Sequence, residues 1–337
     1  MNKVIKKKNV SISLLKVMAC LAVLALHTQR NVYLGEIYNP ALYYFSRFAI
    51  PIFFLVNGYL ILRKKRTAKY LIKKGIQMIL LVVIWSIIYG ILRRNNPLII
   101  FIGSIFGESG LSIFWFFWAL TLVYFFAIIL NKILITKKRY IIFLTICLIV
   151  SVLFDTINNV IMLKDNFIIM KLIPQTFRVW LWLFYFYLGG YISNYVNNKK
   201  INISKKKIIL LVFLSIGAVI TQYLLYFKYT KFINSEYIYG NILIIFWCVC
   251  LFNLILSLDI KSSKLSNVIL YIEKNSIGIY VIHIFFVKLF DLTVHNGGWI
   301  LSTIIWIGLF FVSLTISVII NKIPYLNKLV NIGDKNA

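Results

Sequence analysis

The sequence of 337 residues predicts an all-α polytopic membrane protein of about ten transmembrane helices, in one domain spanning 1–337, with both termini cytosolic. Three observations carry that class. Apolar residues make up 61% of the chain and charged residues 14%, whereas a soluble domain is usually under half apolar and about a quarter charged. The apolar residues gather in stretches near the ~20 residues that cross a bilayer. Basic residues, 37 against 9 acidic ones, concentrate in alternate connections between those stretches. The same numbers exclude disordered, collagen-like and coiled-coil chains, and they leave no length for a second soluble domain.

The spans are expected near 10–29, 41–62, 75–92, 112–130, 140–157, 177–196, 208–227, 238–258, 276–293 and 299–320. Lipid supplies no partner for backbone N–H and C=O groups, so only helices or a closed barrel can cross it. Period-two alternation is absent, which rejects the barrel. Span one follows Lys6, Lys7 and Lys8 like a signal peptide, but no small-residue cleavage site comes after it, so it reads as uncleaved. In span two, Pro51 interrupts the helix ladder, and Asn57 and Gly58 offer a polar group and a close backbone approach. Span four opens with Trp115 and Trp118, the pattern of an aromatic belt. Gly189 and Gly190, late in span six, mark close helix packing. The outer connections 93–111 and 158–176 are apolar enough to lie in the interface or dip back into the bundle.

Charge assigns the sides. Twenty-six basic residues fall on the face that holds the N-terminus, seven of them in the run Arg63 to Lys74, and ten on or near the other. Six of the nine acids lie on the outer side. This is the positive-inside pattern, so the net charge of +28 is a topology signal and no nucleic-acid partner is expected. The 63–74 run is either a solvated loop drawn to anionic lipid heads or part of a seat for a phosphorylated ligand. The four cysteines, Cys20, Cys147, Cys248 and Cys250, sit inside apolar runs without a CxxC pair or metal spacing. They read as small core residues, and no metal site is expected.

Ionisable groups inside a span cost roughly 2.5–3.5 kcal/mol on insertion scales and are functional candidates for that reason. Four stand out: Lys16, His27, Arg47 and His283. Lys16 and His27 are eleven residues apart, about 20° past three helical turns and ~16 Å in rise, so they share one stripe at two depths. Arg47 begins RFAIPIFFLVNGYLI in the outer half of span two, and His283 lies in SIGIYVIHIFF of span nine. The plain alternatives are a snorkelling lysine, an interface histidine, an interface arginine beside a proline kink, and a bundle histidine satisfied by its neighbours.

Together these pieces resemble acyltransferase family 3, membrane proteins that O-acylate bacterial cell-envelope glycans. The family pattern of a basic residue, ten residues and a histidine in span one is met by Lys16 and His27, with Lys where Arg is usual. Arg47 to Tyr59 is similar to the family's second-span motif, with Asn57 in place of the usual Ser. Trp115, Phe116, Ala119 and Leu120 match the fourth-span motif loosely, and Ser276, Gly278, Ile279, Tyr280, Ile282 and His283 match a late-span motif. The resemblance covers spans one to nine in order and is to the stand-alone members, so no SGNH esterase-like domain is expected.

What the resemblance implies is a plasma-membrane enzyme with no bound cofactor. It would use acyl-CoA, acetyl-CoA first, as the donor substrate, and a capsule, exopolysaccharide or other envelope glycan as acceptor. Membrane lipids and glycan-assembly proteins are the implied partners. Acyl transfer to a sugar hydroxyl needs a base and a stabilised oxyanion. His27 is expected as base or transient acyl carrier, Arg47 as the group that orients the acyl carbonyl or stabilises charge, and Lys16 as a donor contact, with Asn57, Trp115 and His283 in support. The acid that orients His27 stays open among Glu36, Glu108, Asp155, Glu236 and Asp291. A glycan flippase is the alternative. It calls for inverted repeats or paired broken spans, and no internal repeat is visible.

Overall fold

The structure is a computed structural model, and it describes residues 10–31, 36–64, 66–108, 110–165, 167–196, 205–228, 235–292, 298–324 and 326–330. The N-terminal lysines, Lys199, Lys200 and His295 therefore lie outside the described residues. The helices are α1 (Val10–Thr28), α2 (Pro40–Phe45), α3 (Ala49–Leu62), α4 (Ala68–Arg93), α5 (Pro97–Phe106), α6 (Trp115–Ile133) and α7 (Lys137–Asp165). They continue with α8 (Val179–Tyr191), α9 (Lys205–Lys228), α10 (Ile242–Ser257), α11 (Ser263–Lys274), α12 (Ser276–Leu289) and α13 (Gly298–Lys322). A two-residue ladder, β1 (Arg30–Asn31) with β2 (Glu36–Ile37), closes the hairpin after α1.

A helix stands at each of the ten expected spans, but they differ in how far they reach. Seven are long and apolar enough to cross a membrane alone: α1, Pro40–Leu62, α4, Ser112–Ile133, α7, Lys206–Leu225 in α9, and α13. The ninth expected span reaches that length only as α11 plus α12, which meet at a 58° bend. The sixth and eighth are shorter than their apolar windows suggest. Helix α8 has 13 residues and continues as a five-residue π-helix, Ile192–Val196. Helix α10 has 16 residues, because Ser235–Tyr237 form a 3₁₀ turn and Asn241 caps the helix start. An apolar window includes apolar turns, so it overestimates helix length wherever a turn lines the bundle.

The second span is continuous but passes through a 3₁₀ turn. Asn39 caps α2 through its side chain, Ser46–Phe48 form a 3₁₀ turn, and α3 follows. Pro51 sits in the first turn of α3, where a missing N–H costs no ladder bond. Burial sorts inner helices from outer ones. Most of α1 and of Pro40–Leu62 is buried, 61% and 72% of their apolar windows, against 17% for α9 and α13. The two outer helices present their apolar residues to lipid.

Two glycines decide how α3 and α8 cross. A Cβ on Gly58 would overlap the Phe186 carbonyl, and a Cβ on Gly189 would overlap the Leu55 carbonyl. The backbones therefore touch, as small residues permit where helices associate in lipid. Stacking of Phe54 on Trp182, 4.6 Å between ring centres, continues the contact. Gly189→Leu should separate this pair and lower stability by about 1–3 kcal/mol or more. The check is the melting temperature of purified protein, where an unchanged value would count against the crossing. For orientation, Ala68→Cys in a background without the four native cysteines should react from the cytosolic face only, and labelling by an impermeant outer reagent would reverse the topology.

Candidate active site

Helix α1 lies along α11 and α12, and contacts at three depths set their relative direction. Lys16 Nζ donates to Glu273 Oε1 at 2.8 Å, the Cys20 thiol faces the Ser276 carbonyl at 3.7 Å, and the His27 ring stands 5.4 Å from the His283 ring. Numbers rise together on both sides, so the first and ninth spans run parallel, as two odd-numbered spans must. The two ends of the stripe do different things. Lys16, at the end that bears the 63–74 run, is held by a buried carboxylate. His27, at the opposite end, lines a cavity of about 400 Å³.

That cavity is built from helix ends and connections. His27 comes from the end of α1, Arg30 from β1, Tyr43 from α2, and Gly107 and Trp115 from the turns around α5 and α6. Met170 to Arg178, Ser235 to Tyr239, and the end of α12 with Lys288 and Asp291 complete the wall. The two apolar connections flagged in the sequence thus cover a polar site. Their backbones are tied down by side chains: Met170 N–H donates to Asn158 Oδ1 at 3.0 Å, and Thr176 Oγ1 donates to the Ile105 carbonyl at 2.6 Å.

Arg178 is the main clamp. Its guanidinium donates from Nε to the Ile173 carbonyl at 2.9 Å, from Nη1 to the Glu236 carbonyl at 2.6 Å, and from Nη2 to the Met170 carbonyl at 2.5 Å. One rigid fork therefore joins the connection before α8 to the one before α10. Gln175 Nε2 also donates to the Glu236 carbonyl, and the Trp182 indole donates to the Gln175 carbonyl at 2.7 Å.

The expected site residues part company here. His27 and Trp115 line the cavity, and Trp115 stacks on Trp182 at 5.3 Å. His283 is fully buried behind His27. Arg47 is fully buried too, but its guanidinium lies over the Tyr44 ring at 4.1 Å and 5.5 Å from that of Tyr43. Tyr43 lines the cavity; the Arg47 side chain does not reach it. Asn57 donates to the Phe53 carbonyl at 2.8 Å and accepts from the Tyr124 hydroxyl at 3.0 Å, away from the cavity. Lys16 is about three helical turns from His27 and also outside it.

Of the five acids, Glu236 and Asp291 share the cavity with His27. Asp155 is buried on α7, where Asn159 and Asn241 donate to its Oδ2 at 3.0 and 2.9 Å. Glu108 is exposed, and the Glu36 side chain lies outside the described residues. Among the described residues, none of these acids bonds His27.

Arg30 was legible only as an outer charge; it stands in β1, just past the end of α1, and lines the same cavity as His27. Burial works against its charge, but Tyr43 and Glu236 outweigh that cost and hold its pKa above the ordinary arginine value. The cavity therefore keeps a fixed cation next to a histidine. Arg178 gave no signal beyond a lone arginine at the outer start of a span, which reads as an interface anchor.

Residues 9–322 match the acyltransferase family 3 model, described as an acyltransferase domain. No curated protein and no solved structure matches.

The Lys16–Glu273 pair makes a prediction independent of chemistry. Glu273 is 8% exposed, and a buried charge that loses its partner keeps its desolvation cost. Lys16→Met should lower stability by about 1–3 kcal/mol, and adding Glu273→Gln should recover most of it. Thermal unfolding of the single and double variants checks this; purely additive losses would mean the pair is not coupled.

Proposed function

Because the chain belongs to acyltransferase family 3, a family of membrane acyltransferases, we propose that it moves an acyl group, acetyl first, from cytosolic acyl-CoA to a hydroxyl of an envelope glycan or its lipid-linked precursor. One observation supports this above the rest: His27 opens on a cavity beside the cation Arg30, at the end of the bundle away from the basic loops. An acyl transfer needs that pairing of a proton acceptor with positive charge.

In this reading the acceptor hydroxyl enters the cavity and gives its proton to His27. Its oxygen bonds to the thioester carbonyl carbon, and the carbonyl oxygen takes up negative charge near Arg30. The C–S bond then breaks, the CoA thiolate leaves, and the proton on His27 returns to it. An ester and free CoA thiol result, and His27 is neutral again. Arg30 cannot be the base, since a guanidinium stays protonated. Behind Tyr43, Arg47 adds to the positive field. The acyl-CoA end of the path is the basic run with Lys16, whose ammonium would meet donor phosphates by sharing or leaving Glu273. The depth between Lys16 and His27, ~16 Å, is then spanned by the thioester arm.

His27→Ala should leave expression and membrane insertion intact and remove the O-acyl signals from the NMR spectrum of the envelope glycan. Loss of a general base costs ~10²–10⁴-fold in rate. Normal O-acyl signals from His27→Ala cells would overturn the assignment and favour a transport role.

A further inference from the structure

His283 sits in the core of the bundle with no exposed surface. Its Nδ1 faces the Ile279 carbonyl at 3.2 Å, one helical turn back on α12. A ring nitrogen against a carbonyl must carry the proton, so the hydrogen-bond network assigns the neutral Nδ1–H tautomer. The Nε2 lone pair is then an acceptor, and it is buried without a partner. Buried polar atoms are nearly always satisfied, and one that is not calls for a reason.

Two rings face it. Tyr280 is 5.8 Å away between centres, but its hydroxyl already donates to the Ile113 carbonyl at 2.9 Å. His27 is 5.4 Å away, tilted by 46°, and among the described residues makes no hydrogen bond of its own. One histidine holds a buried acceptor without a partner, and the other, at contact range, an N–H that makes no hydrogen bond among the described residues.

We infer that His283 is a positioning residue for His27, accepting the His27 N–H at Nε2 so that the other His27 nitrogen turns its lone pair to the cavity. This rests on the reading of His27 as base. It fills the orienting role for which the sequence offered five acids, and it does so with a neutral group, which costs less to bury than a carboxylate. The rings touch without a hydrogen bond in the structure; a turn of the His27 side chain closes it, as active-site hydrogen bonds tighten when substrate is bound. The bond fixes which His27 nitrogen is protonated. No net proton passes to His283: the hydroxyl proton arrives on one His27 nitrogen, while the N–H on the other is held by Nε2.

The test separates orientation from packing. His283→Phe keeps the ring volume and removes the acceptor, whereas His283→Gln keeps an oxygen near the Nε2 position. Glycan O-acylation should fall by about 10²-fold in His283→Phe and be largely restored in His283→Gln, with protein amounts unchanged. Normal O-acylation in His283→Phe alongside its loss in His27→Ala would overturn this inference alone; retention in His27→Ala would overturn the parent reading and this one with it. A second measurement reads the tautomer of His283 itself. The chain has three histidines, so ¹⁵N-histidine NMR of the purified protein in lipid nanodiscs can be assigned by single substitutions. His283 should be the neutral Nδ1–H tautomer, with a shift that moves in His27→Ala. An Nε2–H tautomer, or a shift indifferent to His27, would overturn the inference.

Discussion

Hydrocarbon offers no water to a polar group, so every polar side chain in the bundle needs a partner within the protein or an opening onto a polar cavity. Most of the interior can be read from that requirement. Lys16 finds Glu273, Asn57 finds Tyr124 and a carbonyl, and Asp155 is held by two asparagines. Tyr187 donates to Asn131 and Tyr140 to the Tyr187 carbonyl. Against this background His27 differs, since it faces a cavity instead of a partner. A reactive polar residue is marked here by opening onto the cavity, not by being unpaired, since buried groups such as Ser313 and His283 also carry atoms without a partner.

The same requirement explains how two apolar connections can cover a polar site. Backbone that is neither helical nor exposed must be bonded by side chains, and Arg178, Gln175, Asn158 and Thr176 do this for the walls around the cavity. Arg178 is suited to it because its donors are fixed in a plane and cannot follow three carbonyls that move independently. Rigid walls in turn keep the shape of the cavity that His27 and Arg30 line, which is the condition for electrostatic help without reorganisation. Below them, the glycine contact between α3 and α8 brings the Trp182 and Phe54 rings together and so supports Trp115 at the cavity wall.

Stripe and pair are related along α1. The eleven-residue spacing puts Lys16 and His27 on one face, and both residues meet the bent pair of α11 and α12. The bend lets one chain segment present a carboxylate to the first residue and an imidazole to the second, although the two depths lie in different surroundings. A family pattern of base, spacing and histidine in the first span is thus mirrored by Glu273 and His283, ten residues apart in the partner.

Local chemistry was enough for much of this. Apolar content and the absence of alternation determine helices, the ten apolar stretches each meet one, Gly189 marks a close crossing, and helical periodicity alone places Lys16 and His27 on a shared face. Those features depend on neighbours within a few turns, which a single sequence displays. What the sequence by itself could not decide was which residues meet across the bundle. Glu273 is 257 positions from Lys16, and no period links them. Arg47 and Arg30 look equally placed in the chain, yet a 3₁₀ turn aims one at Tyr44 while the short ladder after α1 holds the other at the cavity. Helix length was overestimated for the same reason, because an apolar turn that lines the interior has the composition of a span. Partner choice is settled by packing of whole helices, and that free energy belongs to the tertiary structure rather than to any local run of residues.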